Sequence, residues 1–281
     1  MANANNAPSP PPPPPSPPSV NGFEVSYEAE QPGIQNTTAQ FHTGGVEDFS
    51  TSSLPNSSSV DVPTTLKPYS STNPQYQSFT TDFGTSGKIS GTYSGVEIIN
   101  ADQYGGADGT GQYAVAFGGG RGASYSLTLN TPVNYFGYWL SALDKGNVAT
   151  FYGANNQVLF QFNPQDVLNA ISKSSNPNAY YGNPNAPFKG KDSTEPFVFL
   201  NFFDTTGTFT KVVFSEVGNG TAGYESDNHT VGTYASVGSG TFITLTNSAA
   251  PEPAAWALMM VGVGGMGAAL RTRRRKAIAA A

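Results

Sequence analysis

The chain has no cysteine in its 281 residues. That excludes disulfide bridges, thiolate metal sites and cysteine nucleophiles. Histidine is nearly as scarce, with His42 and His229 the only two. A Ser-His-Asp arrangement would have to use one of them as its base. No G-x-S-x-G elbow supplies a nucleophile, and no H-E-x-x-H pair presents zinc ligands. Stretches rich in Ala, Leu, Glu and Lys, the residues that favour helices, are few.

What is present is Gly, Ser, Thr, Asn, Tyr and Phe. Aromatics and Thr suit pleated, half-buried surfaces, and Gly, Asn and Pro supply turns. This is the composition of an all-β protein. Residues 1 to 250 hold eight Lys and Arg against eighteen Asp and Glu, a net charge of −10 that the whole-chain value of −6 conceals. Such an acidic region argues against nucleic acid or anionic lipid as a partner. It fits a soluble surface protein or one that binds divalent cations. Without disulfides, the core alone must supply stability, and roughly 200 residues are enough for one sizeable sandwich.

Residues 1–22 are Pro-rich and low in complexity, an extended or disordered segment rather than a fold. The domain is expected over 23–247. Phe23, Val25 and Tyr27 alternate with Glu24, Ser26 and Glu28, which predicts a strand with one wet face. Ser50 to Ser78 reads as a long polar surface excursion. Strand patterns return from Phe79, with a turn expected at Ser94-Gly95. Tyr135 to Leu140 and Phe197 to Phe203 are apolar enough to predict strands buried on both faces. Val148–Tyr152 and Gln157–Phe162 read as a hairpin. Asn163 can cap one short helix, with Pro164 at its first position and Val167, Leu168 and Ile171 at helical spacing. About twelve short strands and one helix predict two packed antiparallel sheets, a β-sandwich or jelly roll.

Candidate chemistry is sparse. His229 falls in mid-strand and reads as a half-buried hydrogen-bonding residue. Gly218 to Gly223 matches G-x-G-x-x-G as a string, but a strand follows where a dinucleotide site needs a helix, so it reads as a hairpin loop. Glu28, Asp102, Asp144, Glu225 and Asp227 could in principle pair for glycoside hydrolysis, although nothing in the sequence pairs them. Calcium is the better use of these acids, because it takes six to eight oxygen ligands. Glu225 and Asp227 share one face of a late strand, and Glu28 and Glu30 alternate in an early one. A calcium joining Glu28 to Asp227 is therefore expected as a candidate, with the Asp102 to Gly111 loop as a further ligand loop or plain turns. Tyr180 and Tyr181, in a loop with Asn and Gly, are candidate sugar-stacking aromatics. The plainer reading has them tucking the loop onto the sandwich.

The end of the chain carries the most information. Pro251-Glu252-Pro253 precedes an apolar run from Ala254 to Leu270, and Arg271, Arg273, Arg274, Arg275 and Lys276 follow. As a helix the run would span roughly 25 Å, at the short end of what crosses a bilayer. Basic residues stay on the cytoplasmic side, which puts everything before Pro251 outside. Residues 248–281, with Trp256 and Ala257 after the tripeptide, resemble the PEP-CTERM sorting signal of proteins handled by exosortase in Gram-negative bacteria. The resemblance implies that a membrane enzyme recognises the tail, cuts near Pro251-Glu252-Pro253 and releases or transfers the domain. An uncut C-terminal anchor is the alternative.

Ala101–Ala107, Tyr135–Asp144, Phe199–Phe203 and Tyr224–Val231 resemble an exosortase-dependent surface protein family. This similarity spans roughly residues 23 to 235 and implies a surface location without an assigned activity. The family pattern also calls for an export signal. Met1 to Val20 lacks the basic start and apolar stretch of one, so the reading favours a start that is wrong or altered. The expectation is an exported, non-enzymatic protein of the cell surface or biofilm matrix, transiently anchored in the inner membrane, with a structural or adhesive role. Its expected partners are exosortase, the membrane and extracellular polysaccharide. The rival is a calcium-assisted carbohydrate-binding module, with a glycoside hydrolase third.

Overall fold

The computed structural model describes residues 19–28, 33–50, 77–117, 124–217 and 222–246. Residues 1–18 of the Pro-rich segment, Glu30, residues 51–76 of the expected Ser50–Ser78 excursion, residues 118–123 and 218–221 and the whole sorting tail lie outside the described residues; Gln77 and Ser78, expected in that excursion, belong instead to a strand.

In chain order the strands are β1 (Phe23–Tyr27), β2 (Gln40–Glu47), β3 (Gln77–Thr81), β4 (Gly91–Asn100), β5 (Gln112–Phe117), β6 (Ser124–Val133) and β7 (Tyr135–Ser141). There follow β8 (Asn147–Tyr152), β9 (Val158–Gln161), helix α1 (Pro164–Ile171), β10 (Val198–Asp204), β11 (Phe209–Glu216), β12 (Gly223–Ser236) and β13 (Thr241–Phe242). The protein is mostly β, as composition required. The strands form one curled antiparallel sheet in the order β13-β1-β10-β7-β12-β5-β4-β6-β11-β8-β9, with β2 added to β12 and β3 to β4.

Two long strands make the curl, because each changes partner along its length. The first part of β4 pairs with β6 through Ser94, and the last part pairs with β5 from Glu97. Between them Gly95 sits at φ +74°, a left-handed conformation that costs glycine little. The turn expected at Ser94-Gly95 is therefore corrected: the strand continues and bends there. Strand β12 does the same. It pairs with β5 up to Ser226 and with β2 from His229, and its register against β7 shifts between Asp227 and Thr230. Asn228 lies at φ +50° inside that shift, the geometry of a β-bulge.

The curl brings two wings face to face and buries an aromatic core between them. Phe23 of β1 stacks on Phe160 of β9 at 4.8 Å, and Phe202 of β10 meets Phe151 of β8 at 5.0 Å. Phe136 and Tyr138 of β7 meet Phe214 of β11 at 5.6 and 5.8 Å. The two layers foreseen from the sequence are thus the wings of one sheet.

Strands β7 and β10 are buried along their whole length, as the largely apolar stretches Tyr135–Leu140 and Phe197–Phe203 predicted. Their outer faces are roofed by surface segments. Tyr104 and Ala107 pack over Trp139, Phe197 and Phe199, and Phe41, Tyr234 and Phe242 pack over Tyr135 and Phe203. The same roofing corrects the expected wet face of β1. Ser26 and Glu28 are buried, because the Thr37-Thr38 segment crosses above them and bonds to Asn201 and Glu28. Helix α1 forms as expected: the Asn163 side chain accepts from the Gln165 amide at 3.1 Å, Pro164 opens the helix, and Val167 and Ile171 are buried.

Candidate functional site

Glu28 leaves β1 with its carboxylate already occupied. Oε1 accepts from the Thr38 amide and hydroxyl, both at 3.0 Å, and from Asn201 Nδ2 at 3.3 Å. Asp227 is likewise engaged. Its Oδ2 accepts from the Ala107 amide and its Oδ1 from the Asn228 amide, each at 2.7 Å. Burial pushes the Asp227 carboxyl well above its ordinary value; the two amides partly offset this, and Asp48 and Asp108 add to it.

The structure does not bring Glu28 to Asp227. The Glu28 amide bonds Phe199 of β10, Phe199 faces Trp139 of β7, and Trp139 faces Asp227 of β12. Three strand spacings, about 14 Å, separate the two backbone positions. Calcium–oxygen distances are only about 2.3–2.6 Å, so the expected pairing of Glu28 with Asp227 around one cation is corrected on geometry. Glu225 is buried beside Asp227 on the same face, opposite Ser141. Among the described residues, no three His, Cys, Asp or Glu side chains are grouped to hold a metal.

The Asp102 to Gly111 loop is built of turns. Asp102 Oδ1 accepts from the Tyr104 amide at 2.8 Å and from the Tyr113 hydroxyl at 3.0 Å. The loop roofs the sheet and delivers the Ala107 amide to Asp227. Asp144 caps its own turn by accepting from the Gly146 amide, and burial raises its carboxyl above the ordinary value.

The proposed aromatic platform divides. Tyr180 closes the turn Pro177–Tyr180 and is 1% exposed, edge-on to Tyr27 at 5.9 Å. Its expected role as an exposed stacking residue is corrected, since its ring anchors the loop in the core. Tyr181 is 39% exposed.

His229 is fully buried rather than half-buried. Its Nδ1 meets the Tyr93 hydroxyl at 2.9 Å and its Nε2 meets Ser226 Oγ at 3.0 Å. Burial lowers its pKa to about 3, so the ring stays neutral and can accept at one nitrogen while donating at the other. Phe49, Phe136 and Phe214 surround it with ring centroids 5.0 to 5.3 Å away. The Ser226–His229 contact has the atoms of a nucleophile and its base, but Ser226 is wholly buried and cannot meet a substrate. This chain was missed in the sequence because Tyr93 and His229 are 136 residues apart.

A second feature the sequence hid lies where the domain hands over to the tail. The buried Asp166 of α1 accepts from the Thr246 amide at 2.9 Å and from the Thr246 hydroxyl at 2.7 Å. Asn163 Nδ2 donates to the same hydroxyl at 3.2 Å. Just upstream, β13 pairs with β1, the Ile243 amide donates to Val25, and the Ile243 side chain is buried. Residues 241–246 therefore form a pinned strap whose end sits at the N-terminus of α1.

The sorting residues Pro251, Glu252, Pro253, Trp256, Arg271, Arg273, Arg274 and Arg275 lie outside the described residues. Among the described residues, no helix is long and apolar enough to cross a membrane. No curated protein and no solved structure matches the chain. The family model of the PEP-CTERM protein-sorting motif does match, over the stretch that begins three residues past Thr246. Residues 249–275 are a PEP-CTERM protein-sorting motif, the signature of export to the cell surface through exosortase.

Proposed function

We propose that the curled β domain is a structural or adhesive component of the envelope or extracellular matrix of a Gram-negative bacterium, without enzymatic activity. In this reading Ala254 to Leu270 is a transient membrane helix, the Arg cluster is its stop, and exosortase cuts beside Pro251-Glu252-Pro253. The observation that carries the proposal is the sorting motif over residues 249–275. The order of tripeptide, apolar run and basic cluster supports the membrane step. The acidic composition of residues 1–250 supports a solvated surface role. The engagement of Glu28, Asp102 and Asp227 by protein donors, and the burial of Ser226 with His229, support a part other than catalysis.

The test is fractionation of a host that encodes exosortase, with and without that enzyme. The processed protein is expected at the surface or in the medium only when the enzyme is present. Pro251→Ala combined with Pro253→Ala should trap the chain in the inner membrane. Surface delivery unchanged by both losses would remove the proposal.

A further inference from the structure

We infer that the Asp166–Thr246 clamp is a positioning device for tail processing: it fixes where the sorting tail leaves the folded domain. The inference rests on the sorting function proposed above and adds to it a constraint from the fold. Thr246 is the last pinned residue among the described residues, and four residues, Asn247 to Ala250, separate it from Pro251 in the sequence. Fully extended, that tether places Pro251 at most about 17 Å from Thr246. The apolar run starts at Ala254, at most about 28 Å from the same point. With Ala254 at the membrane, the N-terminal end of α1 is therefore kept within that distance of it.

The clamp is built for this task in two ways. Asp166 uses both oxygens on one residue, the amide and hydroxyl of Thr246. The strap behind the clamp is held by a backbone bond from Ile243 to Val25, the buried Ile243 side chain and the β13–β1 ladder, so tension on the tail meets a folded element and not a loose end. Releasing the clamp while Ile243 and β13 stay pinned would add residues 244–246 to the tether, about 10 Å of reach and as much as three deleted residues remove. Tether length and clamp integrity are thus two controls on one quantity, the distance from the folded surface to Pro251.

That equivalence gives the test. Three forms of the full chain are produced in a host with exosortase, and the cut fraction is read by mass. Deleting Ser248 to Ala250 leaves one residue between Thr246 and Pro251. With the clamp intact, cutting is expected to fall about tenfold or more. Thr246→Pro removes both donors to Asp166, and adding it to the deletion is expected to restore cutting to within about twofold of the parent. Thr246→Ser keeps both donors and should not restore it.

Asp166→Ala, which removes the acceptor instead, is expected to rescue in the same way. Equal melting temperatures of the deletion and the parent domain would separate positioning from a general loss of folding. A deletion cut as fast as the parent, or one that neither Thr246→Pro nor Asp166→Ala rescues, overturns the inference and leaves the sorting function standing. A parent chain that is never cut removes both.

Discussion

At the scale of single residues, adjacent tyrosines in one loop have opposite fates. Tyr180 fills the core against Tyr27, whereas Tyr181 is exposed. Tyr180→Ala should cost about 3–5 kcal/mol by analogy with buried aromatic truncations. Tyr181→Ala should stay within about 0.5 kcal/mol. Urea unfolding midpoints of the two variants check both. The buried imidazole gives a pH dependence. In the folded protein His229 has a pKa of about 3 against an ordinary 6.5. Below pH 6.5 the unfolded chain takes up a proton that the folded core refuses, so stability is lost as pH falls from about 6.5 toward 3. The ceiling on this effect is about 5 kcal/mol. Asp227 acts in the opposite sense. Its raised pKa favours the folded state below the ordinary value of 3.8 and withdraws that support as pH rises through the folded value. Between pH 7 and 4 the two groups oppose each other, so the His229 contribution is read by difference: unfolding midpoints of His229→Asn should fall less, or rise more, toward pH 4 than those of the parent. A slope unchanged by His229→Asn would count against the buried neutral ring.

At the scale of elements, the readable features were those fixed locally. Strand β5 occupies the expected Gln112–Phe117 because Tyr113 and Val115 alternate with no competing signal. The largely apolar sequences of β7 and β10 declared burial on both faces, and Asn163-Pro164 announced α1. The features that escaped depend on distant chain. Ser26 and Glu28 look like a solvent face until Thr37 and Thr38 cross over them. Glu225 and Asp227 do share a face, yet what lies across the sheet from each is set by strand order, which no single strand encodes. The Ser94-Gly95 pair carries the same composition whether the chain turns or a strand bends. Gly95 is decisive for the bend, since a side chain at its positive φ costs roughly 1–2 kcal/mol. Gly95→Ala should therefore lower stability by about that amount, whereas Ser94→Ala, its neighbour on β4, should change it little; equilibrium unfolding of the pair measures the difference.

At the scale of the whole molecule, one curled sheet joins its ends close to α1. Strand β13 and the strap after it dock beside β1, the first strand of the domain, so the sorting tail departs from a closed structure. The tail itself was legible in the sequence because its signal is linear: a tripeptide, an apolar run and a basic cluster in fixed order. The clamp that holds its root was not, because Asp166 and Thr246 are 80 residues apart. The central claim is that this domain is delivered by way of its tail. The most direct test is the intact mass of the mature protein recovered from the surface and medium of its native host. The account requires a C-terminus close to Pro251, with Trp256 to Ala281 gone. A mature mass that still contains Trp256 to Ala281 would contradict it and leave an uncut membrane anchor.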